Sequence, residues 1–202
     1  MNGKIIFATG NKGKIKEIQM IMEDTGMQVL SMKEAGISVE IDENGATYEE
    51  NALIKARAVA SCTDCLVMAD DSGLEIDYLH GEPGIYSARY LGEDTPYSVK
   101  NVALLERLSG VPREKRTARF ICAIAAVLPD GRELTARASI EGYIGDDERG
   151  EHGFGYDPIF WVPEFGRSAA ELTEEEKNKI SHRGKALQKM KEELRKYENN
   201  CG

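Results

Sequence analysis

The sequence predicts a mixed α/β domain, with helices flanking a sheet that is not purely parallel and doubly wound. Three observations carry this. Short apolar runs of strand length alternate with helical periodicity through the first half of the chain. Two longer extended runs, 117–128 and 133–140, are joined by Pro129-Asp130-Gly131, which marks a hairpin. The 202 residues contain no internal repeat, no low-complexity stretch and no Pro/Gly/Ser linker. That fits a single domain over 1–202, large enough to bury a core and compatible with two lobes around a cleft.

The elements follow in order. Residues 4–8 read as a buried strand that breaks at Thr9-Gly10-Asn11-Lys12-Gly13. Ile15, Ile18, Ile21 and Met22 then recur at helical spacing, and a second strand is expected near 27–31. Thr47-Tyr48-Glu49-Glu50 spells a capping box, with Thr47 capping and the glutamate reaching back. The helix it opens carries Ala52, Ala56, Val59 and Ala60 on one face. Leu66–Ala69 is a short strand expected to end in Asp70-Asp71-Ser72-Gly73. Residues 80–96 read as loop, and Pro96 suits the first position of a helix lined by Val102, Leu105 and Leu108. After the hairpin comes a Gly- and acid-rich stretch at 145–157, then a strand at 159–162. Thr173–Glu176 forms a second capping box, and the last helix aligns Leu187, Met190, Leu194 and Tyr197.

Composition excludes several classes. Hydrophobic residues make up 41% and charged residues 30%, an ordinary globular balance. No apolar run reaches the roughly 18 residues that span a bilayer. Ile5-Ile6-Phe7 is too short for a signal-peptide core, so a cytoplasmic protein is expected. The net charge of -9 repels nucleic acid backbones and anionic membrane surfaces, so neither is an expected partner. A polyanion must instead meet a locally basic pocket or a divalent cation. Cys62, Cys65, Cys122 and Cys201 form no disulfide framework. Cys62-Thr63-Asp64-Cys65 closes a helical pattern rather than opening one, and no further zinc ligands stand near it; ordinary thiols are expected.

Five constellations bear chemistry. Thr9-Gly10-Asn11-Lys12-Gly13-Lys14 lies between a strand and a helix, where backbone N–H groups, the helix dipole and lysine favour phosphate, although the spacing is not that of a Walker loop. Asp70 and Asp71, adjacent in a strand, point in different directions; oxygen-only carboxylates of this kind suit Mg²⁺. Glu40, Asp42 and Glu43, followed by Glu49-Glu50-Asn51 and Lys55, form an acidic segment, one member of which can complete a metal site with Asp71. Phe154-Gly155-Tyr156-Asp157 sets two aromatic faces around a glycine, room for a flat base. Lys177 with Ser181-His182-Arg183-Gly184 supplies a point charge, an imidazole and a guanidinium fork.

These motifs stand in one order, together with Glu50–Ala56, Ala69–Leu74, Pro83–Tyr90 and Gly153–Phe160. From residue 4 to about residue 190 the chain resembles the inosine triphosphate pyrophosphatase family, the non-canonical purine NTP pyrophosphatases. The resemblance implies an elongated mixed sheet with flanking helices, two lobes around a nucleotide-binding cleft, and a homodimer. It implies hydrolysis of ITP, dITP or XTP to the monophosphate and pyrophosphate with Mg²⁺, or Mn²⁺ in its place. Laid on this chain, it gives Thr9, Gly10, Asn11 and Lys14 to the triphosphate and Ser72 to the substrate. Asp71 becomes the metal-associated carboxylate and general base, supported by Asp70. Glu40 is the further metal ligand, with Glu43 as the alternative. Phe154, Gly155, Tyr156 and Asp157 form the base pocket, completed by Lys177, His182 and Arg183, while Lys55 and Arg89 are phosphate partners.

Overall fold

The computed structural model describes residues 3–200, the last four through their backbone alone. The side chain of Tyr197 and all of Cys201 therefore lie outside the described residues. Seven strands form one sheet in the order β2-β1-β3-β4-β5-β6-β7. They are β1 (Lys4–Phe7), β2 (Gln28–Ser31), β3 (Leu66–Ile76), β4 (Thr117–Val127), β5 (Glu133–Ile144), β6 (Phe160–Val162) and β7 (Arg167–Ser168). The helices are α1 (Lys12–Met22), α2 (Tyr48–Ala60), α3 (Tyr97–Arg107), α4 (Glu174–Ile180) and α5 (His182–Asn200). β1 pairs parallel with β2 and with β3, whereas β6 pairs antiparallel with β5 and with β7, so the sheet is mixed as the alternation and the hairpin predict.

The chain divides into two compact units, one of Met1–Asp71, Cys122–Ala138 and Arg183–Gly202, the other of Ser72–Ile121 and Ser139–His182. Unit 1 has a core in which Ile5, Phe7 and Met68 from the strands meet Ile18 of α1 and Leu187 and Met190 of α5. Unit 2 gathers Leu74, Leu104, Phe120, Ile144, Tyr156 and Phe160. β4 is buried almost throughout, as a strand covered on both faces must be, while β5 alternates exposed and buried positions along much of its length.

Several local expectations change. β3 does not end at Asp70; it runs through Asp-Asp-Ser-Gly to Ile76, because Leu74 and Ile76 continue its buried pattern. Pro96 is the N-cap of α3 rather than its first helical residue. The buried face of α3 is Lys100, Asn101 and Leu104, continued by the C-cap Leu108, while Val102 is 47% exposed. Of the expected stripe, Leu108 is buried and Leu105 packs against the core, while Val102 gives way to Asn101, a polar side chain that finds partners inside. At α2, Thr47 accepts from the Glu50 N–H, but the Glu50 carboxylate accepts from Ala46 instead of closing the box on Thr47. The box at Thr173 and Glu176 is complete, and a further one at Ser168 and Glu171 joins it.

Candidate active site

In unit 1 the strand-to-helix turn after β1 is built by Asn11. Its Oδ1 accepts from the N–H groups of Gly13 (2.9 Å) and Lys14 (3.1 Å), capping α1. Those two N–H groups are therefore engaged by the cap rather than presented to an anion. Thr9 Oγ1 accepts from the Asn11 N–H at 3.2 Å, fixing the turn. A Cβ at Gly10 would meet nothing within 4 Å, so packing does not demand that glycine. Lys14, on the first turn, reaches Asp70 Oδ2 at 2.9 Å.

Asp70 and Asp71 face opposite ways from β3, and their surroundings differ. Asp70 is buried against Lys14 and against Arg183, whose Nε and Nη2 both stand 3.2 Å from Oδ2. The Arg183 guanidinium also pairs with Glu17 of α1, itself buried. Burial alone would raise the Asp70 carboxyl, but the charges of Lys14, Arg183 and Lys55 together outweigh it and hold it well below the usual carboxylate range.

Asp71 receives Asn51 Nδ2 at 3.2 Å and Lys55 Nζ at 3.1 Å. Both come from α2, four residues apart and hence on one face. Asn51 is oriented by the Gly45 N–H, which donates to its Oδ1 at 2.8 Å; a Cβ on Gly45 would sit 2.7 Å from that same oxygen, so only glycine fits. Burial pushes the Asp71 carboxyl up despite the opposing pull of Lys55. Lys55 would be driven toward neutrality by its own burial, yet Asp71, Asp70 and Glu43 raise it, and the ammonium stays charged.

Glu43 completes this cluster, accepting from Lys55 Nζ at 2.9 Å. The acid that the structure brings beside Asp71 through the shared ammonium is thus Glu43, whereas Glu40 is exposed in a segment without regular structure. Among the described residues no three Asp, Glu, His or Cys side chains converge as a ready-made metal cage. A hard divalent cation that keeps waters and substrate phosphates needs only one or two carboxylates, and Asp71 and Glu43, which already share one positive charge, fit that requirement.

In unit 2, Asp157 Oδ2 accepts from the Phe154 N–H (2.7 Å) and from Lys177 Nζ (2.6 Å). The Lys177 ammonium also lies over the Phe154 ring, 4.6 Å from its centroid. Gly153 has a φ of +78°, and a Cβ there would collide with the Asp157 carboxylate, so the turn requires glycine. Of the two aromatics, only Phe154 remains partly open. Tyr156 is buried, its hydroxyl donating to the Ser87 carbonyl at 2.8 Å and its ring edge-on to Tyr97 at 5.1 Å, which makes it an anchor of the loop rather than a face for a base. His182 stacks on Phe120 (centroids 5.0 Å apart) beside a small depression shared with Asp157, Phe160 and Lys177. Ser72 is half-buried in β3, and Arg89 lies over the Tyr86 ring.

Two residues carry roles that the sequence did not assign. Asn51 stands in the acidic segment's constellation, and its spacing of four from Lys55 was the signal for a shared face. Glu17 looks like any exposed helical acid until Arg183 arrives from the far end of the chain. Cys62, Cys65 and Cys122 are free thiols, and burial pushes that of Cys122 far up. Among the described residues no helix is long and apolar enough to cross a membrane.

A mixed sheet flanked by helices, with paired carboxylates and a lysine–aromatic–carboxylate cluster, defines the class as an α/β protein, and its relatives narrow that class. The Ham1 family model matches residues 5–193, and the chain belongs to the Ham1 family. It is 51% identical over 185 residues to the dITP/XTP pyrophosphatase of Bacillus subtilis, covering 92% of this chain and 93% of that one. It is also 51% identical over 191 residues to the dITP/XTP pyrophosphatase of Desulforamulus reducens, covering 95% of each. Among solved structures, the Ham1 protein of Staphylococcus aureus superposes with a TM-score of 0.85 at 39% identity, over 96% of this chain and 99% of that one. The resemblance read from the motifs and the mixed α/β fold are both borne out.

Proposed function

We propose that this chain is a nucleoside triphosphate pyrophosphatase that hydrolyses non-canonical purine nucleotides, dITP, XTP and ITP, to the monophosphate and pyrophosphate. Beside the family relation, the observation that carries the chemistry is the contrast between adjacent carboxylates. Asp70 is locked as an anion by three cations, whereas Asp71 is held by Asn51 and Lys55 with its carboxyl raised by burial. A carboxylate that binds a proton more readily than usual suits a general base, and its fixed orientation suits the positioning of water.

Asp71 and Glu43 would hold the divalent cation, Mg²⁺ or Mn²⁺, with Glu40 the other acid of that segment. When bound, such a cation neutralises phosphate charge and orients the leaving group. Asp71 positions and deprotonates the water that attacks the α-phosphorus. Lys14, paired with Asp70, and Lys55 offset the charge of the departing pyrophosphate, with Thr9, Gly10 and Asn11 shaping the turn that receives it. Arg183 acts through Asp70, which it holds in place. In unit 2, Phe154 offers a stacking face, and Lys177 and His182 offer donors to the 6-carbonyl that hypoxanthine and xanthine carry and adenine lacks; donors left unpaired against adenine give the discrimination. The cytoplasmic location expected from the sequence and the homodimer implied by the resemblance belong to the same proposal, and light scattering checks the latter.

The purified protein with Mg²⁺ is given dITP, XTP, ITP, ATP and GTP, and the products are identified. Monophosphate and pyrophosphate from the first three, with little from the last two, is the expected outcome. Release of orthophosphate and diphosphate would place the attack at another phosphorus and overturn the mechanism.

A further inference from the structure

We propose that Asn101 is a positioning residue that sets base selectivity, by clamping the loop around Phe154–Asp157 from α3. The proposal rests on the reading of that loop as the base subsite.

Asn101 is 2% exposed, a polar residue on the buried face of a surface helix. Its Nδ2 donates to Glu148 Oε1 at 2.7 Å and, at a longer 3.4 Å, to the carbonyl of Gly155. The two acceptors lie on either side of the bend at 151–154, so one side chain ties the loop together across its turn. The Asn101 Oδ1 is buried and has no hydrogen-bond partner among the described residues. A buried acceptor left unpaired is costly. Turning the carboxamide round would not relieve it, because Oδ1 would then face a carboxylate and a carbonyl. The position thus calls for a neutral group with two donors on one atom, which asparagine supplies and aspartate does not.

The same helix holds the loop at the next residue. Tyr97 meets Tyr156 edge-on, 89° between rings. Lys100 donates to the Ala88 carbonyl at 2.5 Å, next to the Ser87 carbonyl that accepts from the Tyr156 hydroxyl. Gly155 and Tyr156 are therefore fixed by α3, and Phe154 and Asp157 flank them in the chain. Asn101 acts through Gly155. Releasing it loosens the stacking face and the Lys177 partner together. Binding that depends on the base weakens equally in ground and transition states, so KM rises while kcat holds.

The test compares Asn101→Asp, Asn101→Leu and Glu148→Ala with the parent protein in Mg²⁺, with XTP, dITP and GTP as substrates and inorganic tripolyphosphate as a base-free inhibitor. Glu148 is exposed, so its variant loosens the clamp without a change in the core. For the Asn101 variants we expect KM for XTP and dITP to rise about ten-fold, kcat to stay within about two-fold, and the preference for XTP over GTP to fall with KM. Glu148→Ala shifts the same quantities by about three-fold. Inhibition by tripolyphosphate stays unchanged throughout. Unchanged KM and unchanged preference in a discriminating protein, with or without a lower Tm, overturn the clamp alone, and so does a fall in kcat at constant KM. A parent protein that does not distinguish XTP from ATP and GTP overturns the base reading, and the clamp with it.

Discussion

The two units hold their candidate residues by different forces. In unit 1 the site is a set of buried and half-buried charges that restrain one another: Lys14 and Arg183 on Asp70, Glu17 on Arg183, Lys55 between Glu43 and Asp71. In unit 2 Lys177–Asp157 is such a pair, and it stands among ring contacts, backbone hydrogen bonds and a glycine turn. A buried charge network fails abruptly, since the loss of one member leaves another uncompensated. Ring and backbone contacts fail by degrees. Substitutions in unit 1 should therefore abolish turnover or folding, and those in unit 2 should grade selectivity.

The largest effect is expected at Asp71. Asp71→Asn keeps the shape and removes the base, and kcat on XTP should fall by about 10³-fold. Stability should move the other way. The folded carboxyl lies above its unfolded value, so at neutral pH the fold holds this anion against its preference, and the neutral amide relieves that strain. A Tm at or above that of the parent, with turnover lost, is the expected pair. A clear drop in Tm would mean that the Lys55 pairing outweighs burial and that Asp71 is structural.

Asp70→Asn tests the opposite state. It strips Arg183 and Lys14 of their shared buried partner, and urea unfolding should show a loss of about 3–5 kcal/mol. The pH dependence carries the same sign. The folded Asp70 value lies below the unfolded one of about 3.9. Its stabilisation is present in full above that unfolded value and drains away as pH falls through the folded one, because the unfolded chain takes up the proton first. Asp70→Asn should flatten the acid limb of the stability profile below about pH 4. An acid limb as steep as the parent's would assign the acid sensitivity to other carboxylates.

What the sequence disclosed follows the same division. The hairpin was legible because its turn chemistry and its two extended runs agree, and the turn after β1 because glycine and asparagine stand between a strand and a helix. On α3 the expected stripe held at Leu105 and Leu108 and failed at Val102, because periodicity counts apolar residues, and here Lys100 and Asn101 are inside as well. Glu43 and Glu40 could not be separated, since the segment that carries both has no regular structure to show which of them meets Lys55. Tyr156 and Phe154 look equivalent in the sequence, and only the Ser87 carbonyl and the edge of Tyr97 separate an anchor from an open face. Charge pairs between distant segments, Glu17 with Arg183 above all, leave no local signature.

The smallest effect sharpens the comparison most. Phe154 is half-buried, and its ring carries Lys177 on its face. Phe154→Ala removes a stacking surface and a cation–π contact of about 0.5–1 kcal/mol, while the Lys177–Asp157 pair remains at 2.6 Å to hold the ammonium. KM for XTP should rise roughly five- to ten-fold with kcat nearly unchanged, and Tm should move little, since no charge is stranded. The preference for XTP over ATP then separates two contributions. If all bases weaken alike, the ring supplies only stacking, which every purine shares, and selectivity lies with the Lys177 and His182 donors. If preference falls as well, the ring also aims Lys177. An unchanged KM for every nucleotide would remove the Phe154 loop from the base subsite and leave unit 2 without a role in recognition.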